Sequence, residues 1–207
     1  YETMICGSNL VVSVVGDFDS DALLATAAKT FGTLKKGTPV EVGGAKDEPA
    51  VTSRPIFEEK DQEQITYNTG WLGCSVRDPD YPALRVATSL IGDKLFFKYV
   101  YEKGVAYRSW FYMSDRMGQS SVQNEMGVTG ANFAMASNGV LGDVEAYQKT
   151  PPTAVEVETT VDKAISRHQL GSQENRQLAQ RLAYWEMTGL GWEFGETMPE
   201  KLRAVTP

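Results

Sequence analysis

The sequence predicts an α+β protein, with a mostly antiparallel sheet and helices packed on one face of it. Runs rich in β-branched and aromatic residues recur at 9–16, 64–73, 105–113 and 121–129. Amphipathic runs of helical period fall among them without the strict strand–helix–strand rhythm of a doubly wound parallel sheet. The polar stretch 114–119 between two strand runs reads as a hairpin turn, which makes that part of the sheet antiparallel.

In chain order, Asn9 to Gly16 (NLVVSVVG) is a continuous apolar run and predicts a strand buried on both faces. Asp17-Phe18-Asp19 supplies a helix cap, and Ala22, Leu23, Ala27 and Phe31 recur at helical spacing until Gly32. From 33 to 55 the chain turns to Gly, Pro, Lys and Glu with no period, which predicts a linker. Ile56–Glu59 and Gln64–Gly73 predict strands. Asp78-Pro79-Asp80 opens a helix with Tyr81, Leu84, Val86, Ala87, Leu90 and Ile91 on its apolar face, ended by Gly92. A second helix through Leu95, Phe96, Tyr99 and Val100 runs to Gly104. Val105–Met113 and Ser121–Thr129 predict paired strands, and Asn132–Ser137 one more. Beyond Pro151-Pro152 the pattern is helical: Thr153 caps one helix, and Ser172-Gln173 begin another that breaks at Gly189-Leu190-Gly191. An absent starting Met, and a Thr206-Pro207 end resembling the cap of a further helix, read as a chain cut from a longer one.

Hydrophobic residues make up 42% and charged residues 23%, which predicts an ordinary packed core. The net charge is −7 and no basic run exceeds Lys35-Lys36, so nucleic acid is not an expected partner. No apolar stretch approaches the roughly 20 residues of a membrane helix, so no membrane span is expected. Cys6 and Cys74 lie in no metal spacing and read as two buried free thiols, with a disulfide between them as the alternative.

Catalytic chemistry is limited by a single histidine, His168. Hydrolytic zinc takes three protein ligands, and a zinc peptidase helix supplies two imidazoles plus a carboxylate base. His168 ends an amphipathic helix with no other ligand type beside it and reads as structural. The carboxylate pairs Asp78/Asp80 and Glu58/Glu59 read as turn chemistry and a solvated strand end. Gly43-Gly44 is not followed by a strand-to-helix turn and forms no phosphate loop. Thus no catalytic residue and no metal ligand is assigned. The aromatic stretch from Phe96 to Tyr112 reads as helix–sheet packing, with the wall of a substrate groove as the sharper alternative.

Several segments, in this order, resemble the insulinase-type zinc peptidases, the family of pitrilysin and the mitochondrial processing peptidase. They are LVVSVVGDFDSDALLATAAKTFG at 10–32, Gln64 with its strand, DPDYPALRVATSLIGDKLFFKYVYEKGVAYRSW at 78–110, and PTAVEVETTVDKAISRHQLGSQENRQLAQRLAYWEMTGLG at 152–191. Glu102-Lys103-Gly104-Val105-Ala106-Tyr107 looks like the family's Arg-Glu-Lys-x-Gly-Leu-Ala-Tyr block. The resemblance implies a clamshell of two α+β halves whose first half carries the zinc ligands. Residues 1–32 would then be the closing strand–helix unit of the preceding half, 33–55 the linker, and 56–207 the second, substrate-binding and non-catalytic half. Zinc would belong to the complete protein and not to this chain. The expected partners are a peptide or unfolded protein substrate and the zinc-carrying half or a paired catalytic subunit. The resemblance also implies a substrate-binding Tyr at Tyr107, with the family's Arg position falling at Val100, or at Tyr101 if the block is one residue shorter. Neither is an Arg, and Lys94, Lys98 or Lys103 are the candidates to compensate. An alternative is a catalytically inactive partner subunit or scaffold of the same fold; a third is an unrelated binding domain.

Overall fold

Strand β3 (Ser121–Thr129) is the centre of a three-stranded antiparallel sheet in the computed structural model, between β1 (Gln64–Leu72) and β2 (Ala106–Met113). Residues 4–40 and 55–207 are described. β1 runs against β3 from Gln64 opposite Thr129 to Leu72 opposite Ser121. β2 pairs along the other side of β3, from Ala106 opposite Val128 to Met113 opposite Val122. The hairpin read from residues 105–129 therefore forms as expected.

Alternation along the strands sends Tyr67, Trp71, Ala106, Phe111, Met126 and Val128 to one face, where they join a core with Leu95, Tyr99, Ala136, Val140 and Val144. The helical side of that core comes from α2 (Tyr81–Phe96), its continuation as a π turn (Phe97–Glu102), and α3 (Phe133–Lys149). Asp78 begins α2 by accepting a 2.9 Å bond from the Asp80 amide, and Gly104 ends the π turn with φ +59.

Three readings of the sequence are corrected here. Gly92 does not end a helix: α2 runs through it, and a Cβ there would stand 3.0 Å from the Phe111 carbonyl oxygen. The glycine lets the helix press against β2. Asn132–Ser137 is not a strand but leads into α3, whose Ala136, Val140 and Val144 repeat at four residues and are buried. The glycines and Asn138 in that segment weaken its helical propensity, and packing overrides them. Ile56–Glu59 forms no strand, and Ile56 is 91% exposed.

The chain divides into two compact units, one of 44–166 with 199–207 and the other of 1–43 with 167–198. The first unit holds the sheet. Its α4 (Ala154–Leu170) starts with a capping box: Glu156 accepts from the Thr153 amide and hydroxyl, both at 2.8 Å, and its own amide donates to that hydroxyl at 3.3 Å. The second unit contains α1 (Ser20–Phe31), whose N-terminus Asp19 caps through a 2.9 Å bond from the Ala22 amide. The strand expected before it, at 9–16, does not form among the described residues: Asn9 closes a short 3-10 turn (Gly7–Asn9), Gly16 is a bend, and 10–15 join no ladder. Leu10, Val12 and Val14 are exposed, and α1 has no buried residue. In the same unit α5 (Asn175–Met187) sets Trp185 against Phe194, 4.8 Å between ring centroids, at the start of α6 (Phe194–Arg203). Most of the expected linker, 41–54, lies outside the described residues.

Candidate functional site on the outer face of the sheet

The face of the sheet away from the core carries Thr66 and Asn68 from β1, Gln123, Glu125 and Gly127 from β3, and Arg108, Trp110 and Tyr112 from β2. Tyr107 joins them through a break in register. Ala106 faces Val128 and Arg108 faces Gly127, so Tyr107 is the extra residue of a bulge on an edge strand. Bulges re-aim side chains. Here the Tyr107 ring lies over the backbone of Gly127, where a Cβ would run into it. Tyr107 is 48% exposed and Trp110 55%.

Arg108 lies beside that ring. Its guanidinium carbon is 5.4 Å from the Tyr107 centroid and 5.7 Å from that of Trp110. Its Nη2 donates to Thr66 Oγ1 at 3.1 Å and pairs with Glu125 Oε1 at 3.0 Å. Tyr112 donates its hydroxyl to Gln123 Oε1 at 2.9 Å. The outer face is thus a ridge of aromatic rings on β2 beside a polar floor, with an exposed phenol at one end.

The other residues singled out from the sequence fall elsewhere. Val100 packs against the core, and Tyr101 is exposed at the π turn against Phe96 and Phe97, with ring centroids 5.4 and 6.1 Å away. Lys94 pairs with Glu156 at 2.6 Å and Lys98 with Asp143 at 2.5 Å, while Lys103 lies over the Tyr99 ring at 5.2 Å. The cation beside Tyr107 is Arg108, which the sequence reading passed over. One signal was present, a lone charge inside Tyr107-Arg108-Ser109-Trp110, but the bulge that turns it to the same face as Tyr107 leaves no mark in the alternation. The aromatic stretch divides: Tyr99 is fully buried, whereas Phe97, Tyr101, Tyr107, Trp110 and Tyr112 are exposed.

Electrostatics away from the ridge are structural. The Lys94 ammonium, then the Thr153 amide and hydroxyl, hold the Glu156 carboxyl at about 2. Burial, then the 2.9 Å bond its hydroxyl donates to Asp143, pushes the Tyr99 phenol above its ordinary range. Burial also raises the Tyr81 phenol, which donates to Asp115 at 2.7 Å and accepts from Arg85 at 2.9 Å.

His168 ends α4, where Arg181 donates to its carbonyl oxygen at 2.9 Å. Cys6 is buried and Cys74 half-buried, and both are free thiols. Cys74 borders a separate cavity of about 550 Å³ walled by Leu84, Leu90, Ile91, Val157 and Val205. Glu58 pairs with Lys60 at 3.1 Å on the surface. Among the described residues no three His, Cys, Asp or Glu side chains come together to hold a metal, so these residues do not fit a zinc ion. No described helix is long and apolar enough to cross a membrane.

The model of the peptidase M16 inactive domain matches residues 1–163. The chain belongs to the peptidase M16 family, as part of its C-terminal, non-catalytic region. It is similar to a peptidase M16 inactive domain from Pseudomonas fluorescens at 17% identity and TM-score 0.78, covering 93% of this chain and 47% of that one. A protease from Helicobacter pylori matches at 15% identity and TM-score 0.69, covering 93% of this chain and 48% of that one. A chain of Complex III2 from Candida albicans matches at 14% identity and TM-score 0.73, covering 92% of this chain and 48% of that one. At these identities the likeness shows the fold. The chain spans about half the length of these solved relatives. No curated protein matches the sequence.

Proposed function

We propose that this chain is the substrate-holding region of a zinc-dependent endopeptidase acting on peptides or small unfolded proteins, with the zinc ligands outside it. One observation carries the reading: the Tyr107 phenol is lifted by a bulge onto an open sheet face, in a chain of a peptidase family. An extended peptide laid across the outer face of the sheet would meet that hydroxyl, which lies over the central strand at Gly127 and can donate to a substrate carbonyl or to the oxyanion that forms from it. Aromatic rings on the same ridge offer apolar area with polar edges.

The architecture in this reading assigns 1–32 to the preceding half-domain, 33–55 to the linker and 56–207 to the substrate-binding half. Support comes from Leu10, Val12 and Val14, exposed apolar side chains of a segment that joins no ladder among the described residues, and from α1, which has no buried residue. A β-branched apolar segment left exposed and outside any ladder is what a neighbouring sheet would complete.

In the complete protein, Tyr107→Phe should lower peptide turnover by about tenfold or more, and chelators should abolish it. Unchanged turnover in that variant would remove Tyr107 from the site. A second reading, an inactive partner subunit or scaffold, draws support from Val100, which has no hydrogen-bonding side chain where the family places an Arg. A complete protein that binds peptides but cleaves none, alone or with any zinc-carrying subunit, favours it.

A further inference from the structure

Arg108 spans all three strands of the sheet with one side chain. It starts on β2, pairs with Glu125 on β3 and reaches Thr66 on β1. Its Nε is shut away from water and has no hydrogen-bond acceptor among the described residues. An unmet buried donor is costly. A guanidinium placed for its own hydrogen bonds would not leave one, so the rings of Tyr107 and Trp110 set where it lies. The Tyr107 ring is also bounded by Gly127, whose missing Cβ makes the room it occupies. The phenol therefore lies against bare backbone and beside a guanidinium anchored to Glu125 and Thr66.

We infer that Arg108 is the positioning residue for Tyr107, fixing its ring over Gly127 so that the hydroxyl is presented in one place. Glu125 and Thr66 hold Arg108 from β3 and β1, and the Trp110 ring lies beside it. The role takes its meaning from the reading of Tyr107 above as the hydroxyl that meets the substrate. Its physical content, a ring held by a cation, stands on the geometry alone.

The test uses the whole chain, with two readouts. The first is the nuclear Overhauser contact between the Tyr107 ring and the Gly127 α-protons. Arg108→Gln should abolish it and Arg108→Lys should keep part of it. The second is affinity for reduced, carboxymethylated lactalbumin as an unfolded probe. Arg108→Gln should weaken binding roughly threefold to tenfold, as Tyr107→Phe does, with the double variant no worse than Tyr107→Phe and Arg108→Lys recovering part. An intact ring contact in Arg108→Gln, or losses that add in the double variant, would overturn the assignment. If Arg108→Gln does not fold, Glu125→Gln loosens the guanidinium and leaves the ring itself intact. Wild-type affinity and ring contact in that variant would equally overturn it. If Tyr107→Phe binds the probe as the wild type does, the reading of Tyr107 as a substrate contact fails; loss of the ring contact in Arg108→Gln still supports Arg108 as its holder.

Discussion

The hydroxyl of Tyr99 occupies the space that a side chain at Gly139 would fill, and it donates to Asp143 one turn further along the same helix. Through this pair the π turn is locked onto α3 in the middle of the core.

Gly139→Ala therefore sets two effects against each other. Removing a mid-helix glycine gains roughly 0.5–1 kcal/mol, whereas forcing a methyl into a filled core costs about 1–3 kcal/mol. Overpacking wins, and urea unfolding should show a net loss of about 1–2 kcal/mol. A stabilised variant would mean that Tyr99 does not sit against Gly139.

The Lys94–Glu156–Thr153 arrangement makes a pH prediction. Glu156 titrates at about 2 in the folded chain, well below its ordinary 4.5. A depressed carboxylate contributes stability above its unfolded pKa, and that contribution fades as pH falls from about 4.5 toward 2. Carboxyl-detected NMR should show Glu156 still ionised at pH 3.5, and Lys94→Met should move its midpoint upward. A midpoint near the ordinary value in the wild type would remove the ion pair and its cap from solution.

Asn124 is fully buried on β3, and neither atom of its amide has a hydrogen-bond partner among the described residues. Replacing an unpaired polar group with an apolar one of similar size removes a desolvation cost, and valine suits a central strand. Asn124→Val should match the wild type or exceed it by about 1 kcal/mol, whereas Met126→Ala on the same face should lose about 2–5 kcal/mol. A loss above about 1 kcal/mol in Asn124→Val would show that the amide is bonded after all.

The sequence was most legible where a local rule and the tertiary structure agree. The Asp19 and Thr153 caps, the hairpin of β2 and β3, and the stop at Gly104 can each be read from a few neighbouring residues. It misled where glycine served packing instead of punctuation. Gly92 reads as a helix end, yet it sits inside α2 because the Phe111 carbonyl oxygen needs the space; Gly139 serves packing in the same way inside α3, against the Tyr99 phenol. The site divides in the same way. Tyr107 was named from a motif, but its company was not, because Arg108, Glu125, Thr66 and Gly127 meet only through cross-strand register and one bulge. That bulge also puts Tyr107 and Arg108 on the same face, which a period of two would have separated.

Whether this chain holds a hydrolytic metal by itself is decided by zinc titration of the purified 207 residues, followed by calorimetry, with peptide hydrolysis assayed in parallel. The single histidine has no ligand cluster around it, and no three-ligand set exists among the described residues. No saturable equimolar binding and no cleavage are expected. A single tight zinc per chain accompanied by proteolysis would contradict this.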